Sequence, residues 1–72
     1  MKYRKHLEKI LHPGEPCFVV RAQDMHAVPC ILAYAHTLAM ANDHGGAAEV
    51  RVIAKDMHQW QNANPDLVKE PD

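Results

Sequence analysis

Arg21, Gln23, Asp24 and His26 stand together in the stretch RAQDMH, where an extended run meets the expected start of a helix. A helix start presents free backbone N–H groups and the positive end of the helix dipole, so it suits an anion such as phosphate. Arg21 adds a guanidinium able to grip that anion with two parallel hydrogen bonds. Gln23 and His26 are the adjacent polar contributors. The same residues also have a purely structural use, with Asp24 as an N-cap or Asx-turn residue, paired with Arg21, that takes up the donors itself. Both readings stay open on the sequence.

Six histidines and two cysteines invite a metal. Structural zinc uses close ligand pairs, such as two cysteines with two residues between them or two histidines four apart on a helix, and neither pattern occurs. His26 and Cys30 are the one close pair, with Pro29 holding His26 outside the regular helix. No metal and no other cofactor is expected. Nucleophilic catalysis would need a thiolate beside a base. Cys17 falls in the extended run and Cys30 on the most apolar helix, so both read as inert, reduced core thiols. The chain has no serine, no glycine-rich phosphate loop and, within the expected helices, no carboxylate pair three or four apart. No enzyme activity is expected.

The elements around these residues follow from periodicity and punctuation. Tyr3, Leu7, Ile10 and Leu11 give one apolar stripe and predict a basic helix over residues 1–12, stopped by His12-Pro13-Gly14. Cys17, Phe18, Val19 and Val20 predict a strand over 17–23, whose ladder partner is either the C-terminal tail or the same strand of another subunit. An apolar helix is expected over 28–43, with Pro29 in its first turn. His44-Gly45-Gly46 is read as its stop, with a glycine at the left-handed position after the helix. A second, amphipathic helix over 47–63 carries Ala47, Val50, Ile53, Ala54, Met57 and Trp60 on one face, and Asn64-Pro65 ends it before an extended tail over 64–72. The expected fold is mostly α with one short strand, a small α+β arrangement of N-terminal helix, strand and antiparallel helical hairpin.

At 72 residues the chain makes one small domain with a marginal core. The net charge of −1 argues against a polyanion binder, although Lys2, Arg4, Lys5 and Lys9 concentrate basic charge at one end and Asp66, Glu70 and Asp72 acidic charge at the other. No apolar run reaches the ~20 residues of a membrane span. Between Val28 and Ala41 only His36, Thr37 and the tip of Tyr34 are polar, more apolar surface than one hairpin partner covers. Ala33, Ala35, Ala39 and Ala41 would let a neighbouring helix approach closely. A homo-oligomer, at least a dimer, is therefore expected.

EPCFVVRAQD, a helix with proline near its start, and a second helix ending in HQWQNANPDLVKEPD together resemble a group of small phage- and prophage-encoded proteins of uncharacterised function. The resemblance spans roughly residues 15–72. It implies an origin and a cytoplasmic setting in an infected or lysogenic bacterium, but no chemistry. Small phage proteins commonly bind, which implies a non-enzymatic oligomer that interferes with a host process such as antiviral defence. Protein contact or sequestration of a small nucleotide would achieve this, the nucleotide being held where Arg21, Arg4 and a tyrosine, Tyr3 or Tyr34, converge between subunits. The alternatives are a nucleic-acid-associated regulator acting through the basic N-terminal helix, weakened by the lack of a domain-wide basic patch, and a structural accessory subunit of a phage assembly.

Overall fold

In the computed structural model, which describes residues 9–70, the chain turns back at His12-Pro13-Gly14-Glu15. Pro13 and Gly14, the latter at φ 76°, occupy the two central positions, and Glu15 N–H closes the turn on His12 O at 3.0 Å. Positive φ at the third position after a proline is type II geometry, which glycine adopts without steric cost. The Glu15 carboxylate returns to His12 N at 2.9 Å. The N-terminal helix expected over 1–12 lies, up to residue 8, outside the described residues, and residues 9–12 are turn and bend rather than helix.

Residues 15–21 run on without forming a strand. Their β-branched and aromatic side chains favour extended backbone, but a strand exists only where a neighbour takes up its N–H and C=O groups. Among the described residues that neighbour touches at a single point, a parallel bridge between Asp24 and Lys69. Lys69 N–H donates to Gln23 O and Met25 N–H to Lys69 O, each at 2.8 Å. Among the described residues the expected strand over 17–23 is an extended segment with one bridge at its end, since no second strand lies beside it there.

The hairpin is the body of the fold. Helix α1 spans Ala27–Met40 and helix α2 His44–Ala63. A 3-10 turn, Pro65–Leu67, follows α2. Both helices meet their neighbours through alanine: Ala27 and Ala35 on α1, Ala47 and Ala54 on α2, all buried to 2% exposure or less. Small side chains at spacings of seven and eight keep to one face and let the helix axes come close. Ile31, Leu38, Val50, Met57 and Trp60 flank this seam half-buried, and no large side chain is fully buried among the described residues.

The connection is tighter than His44-Gly45-Gly46 suggests. Asn42, at φ 66°, holds the left-handed position. Asn42 N–H bonds Ala39 O at 3.0 Å and Asp43 N–H bonds Leu38 O at 2.9 Å, the paired bonds of a Schellman ending. Asp43 then caps α2 at once, its carboxylate accepting from Gly46 N–H at 2.9 Å. The predicted glycine stop is corrected: the glycines form the first turn of α2, and an asparagine and an aspartate make the corner. At the far end Asn64 closes α2, its side-chain amide donating to Trp60 O at 2.9 Å.

Candidate binding site

The RAQD segment folds as a sequence of small hydrogen-bonded turns. Asp24 N–H bonds Arg21 O at 2.9 Å, closing a turn over residues 21–24. The Asp24 carboxylate accepts from His26 N–H at 2.7 Å, an Asx turn, and its carbonyl accepts from Ala27 N–H at 3.0 Å. His26 is the residue before α1 and places no side chain on the helix start. The donors an anion would use are largely engaged inside the chain. Ala27 N–H goes to Asp24 O, Cys30 N–H to His26 O at 3.2 Å, and Pro29 has none.

What holds this segment to the hairpin is Gln61, which the sequence reading overlooked. Its side-chain nitrogen donates to Ala22 O at 2.9 Å and to Asp24 O at 3.0 Å. A primary amide carries two N–H donors, and both are used on part-buried carbonyls that have left the helical and sheet ladders. The signal was present: Gln61 continues the inward series Ala47, Val50, Ala54, Met57 and is the one polar member of that stripe.

The four expected site residues that the structure describes are brought together, Gln23 and Asp24 half-buried, Arg21 and His26 exposed. His26 Nε2 lies 3.2 Å from a Glu70 carboxylate oxygen. At 60% and 73% side-chain exposure the pair is worth little, because water screens it. Tyr3 and Arg4 lie outside the described residues. Tyr34, at 56% exposure, stands on the outer side of α1. Cys30, expected in the core, is exposed, while Cys17 is half-buried; neither is in a disulfide. An apolar helix gives no polar stripe to say which way its residues face.

A second feature lies between the helices. Val28, Leu32, Arg51, Ala54, Lys55 and His58 line an open groove of about 330 Å³. Its lining is mostly apolar, and the side chains of Arg51, Lys55 and His58 border it from α2. Among the described residues no three histidine, cysteine or acidic side chains converge as a metal set, and no helix is long and apolar enough to cross a membrane. No family model matches the chain, and neither a curated protein nor a solved structure matches it.

Proposed function

We propose that this is a non-enzymatic binding protein of phage type that acts as an assembly of several copies and interferes with a host process, by protein contact or by holding a small nucleotide between subunits. The observation that carries the reading is the outward face of α1. Cys30, Ala33, Tyr34, Thr37 and Met40 are all exposed, Met40 at 73%, on a helix of 14 residues without one aspartate, glutamate, lysine or arginine. Full burial of a methionine or leucine side chain is worth roughly 1.5–3 kcal/mol, and the hairpin itself fully buries only alanine. A face of this kind marks an interface. In such an assembly the extended run 17–23 pairs as a strand with its counterpart in another copy.

Arg21, Gln23 and His26 stand at the edge of that face, beside the start of α1, and supply the polar contacts of the nucleotide form of the reading. A thermal-shift screen with linear and cyclic nucleotides tests it. Stabilisation by one nucleotide class, reduced by Arg21→Ala, is the expected result; no shift with any of them removes the nucleotide form and leaves protein contact, which capture of a host partner by the assembled protein would then have to show.

A further inference from the structure

Arg51 and Lys55 are four apart on α2, where like charges repel. No acidic residue stands three or four positions from either of them: the neighbours at those spacings are Ala47, Ala48, Ala54, Val52, His58 and Gln59. Among the described residues neither forms an ion pair. Together with His58 they rim the groove whose floor is Val28, Leu32 and Ala54, and Leu32 is 46% exposed there. Two uncompensated cations beside apolar surface call for an occupant that brings a carboxylate next to an aliphatic side chain.

The chain itself displays that combination. In the 3-10 turn, Asp66 and Leu67 are both exposed, Leu67 at 56%, and Asp66 also forms no ion pair among the described residues. The bridge from Asp24 to Lys69 holds this turn beside the start of α1, where Val28 begins the groove. Knob and groove thus share one end of the hairpin, and in a twofold contact each copy gives its knob and receives its partner's.

We propose that the groove receives the Asp66–Leu67 corner of a second copy of this chain, with Leu67 on the floor of Val28, Leu32 and Ala54 and the Asp66 carboxylate between Arg51 and Lys55. This rests on the self-association proposed above and names one of its contacts. A charge exchange tests it. Sedimentation equilibrium is run on the wild-type chain, on Arg51→Glu/Lys55→Glu, on Asp66→Lys, and on the three substitutions combined, with far-UV circular dichroism as the check on folding. All three positions are exposed, so the fold tolerates them. Each one-sided change weakens association by about tenfold or more, and the combination recovers most of the loss. Leu67→Ala, which leaves every charge in place, weakens it as well.

If the wild-type chain associates and the exchanges leave that unchanged, or the combined variant shows no recovery, the groove contact is wrong while self-association stands. Binding of dodecanoate that Arg51→Glu/Lys55→Glu abolishes, with association unmoved, likewise overturns the contact and gives the groove to a small amphipathic anion. A folded wild-type monomer overturns both.

Discussion

The side-chain amide nitrogen of Gln61 lies 3.0 Å from the carbonyl oxygen of Asp24, and through this bond α2 fixes the turn from which α1 departs. The same nitrogen holds Ala22 O at 2.9 Å. Removing it takes the donor from the part-buried Ala22 O and leaves Asp24 O with Ala27 N–H alone. Gln61→Ala is therefore expected to destabilise the fold by about 1–3 kcal/mol, read from the midpoint of urea unfolding. Gln61→Glu keeps the shape but turns acceptor oxygens toward acceptor oxygens, and its loss is expected to be the larger.

Gly45 and Gly46 are adjacent in the first turn of α2 yet answer differently to alanine. A Cβ on Gly45 meets nothing within 4 Å. Gly45→Ala is expected to stabilise by about 0.5–1 kcal/mol, from helix propensity and a less mobile unfolded chain. A Cβ on Gly46 comes within 2.8 Å of Asp43 Cγ and displaces the capping carboxylate. There the gain is offset by a lost cap of about 1 kcal/mol, so Gly46→Ala is expected to be neutral or destabilising. In an Asp43→Ala background, with no cap left to lose, the same change is expected to stabilise. A thermal-unfolding cycle over the four proteins reads this coupling.

Asn42 holds φ 66° between the helices. Asn42→Gly keeps that geometry and is expected to change stability by no more than a few tenths of a kcal/mol. Asn42→Val forces a β-branched residue into the left-handed region and is expected to cost about 1–2 kcal/mol.

The hairpin was legible because its evidence is periodic. Ala47, Val50, Ala54 and Met57 repeat at helical spacing, and Asn64-Pro65 is a stop that steric clash enforces. Its corner was not, since two consecutive glycines outweighed the rarer sign of Asn42-Asp43, which places a left-handed residue directly before a cap. The run Cys17–Val20 has strand composition, but composition reports what a pleated surface would accept, not whether a partner chain lies alongside. Cys30 was misplaced for a related reason: on a helix apolar all round, inside and outside differ only by what packs there. At the site, the polar stretch RAQDMH was visible in sequence, whereas Gln61, nearly forty residues away, and the Arg51–Lys55–His58 rim became neighbours of α1 only when the hairpin closed.

If a second copy covers the outward face of α1, Cys30 is shielded in the assembly although it is exposed in the single chain. In Cys17→Ala protein, alkylation of Cys30 is expected to slow as concentration rises and to speed up again on dilution, following mass action. A rate independent of concentration, in folded protein that associates, would place the interface elsewhere.

Among the described residues the uncharged α1 helix has no full cover, and self-association is what would supply it. Sedimentation velocity of the intact chain at micromolar concentration tests it most directly. A folded species of two or more copies is expected, dissociating when Ala33→Glu puts a charge on the outward face; a well-folded monomer, unchanged by that substitution, would overturn self-association.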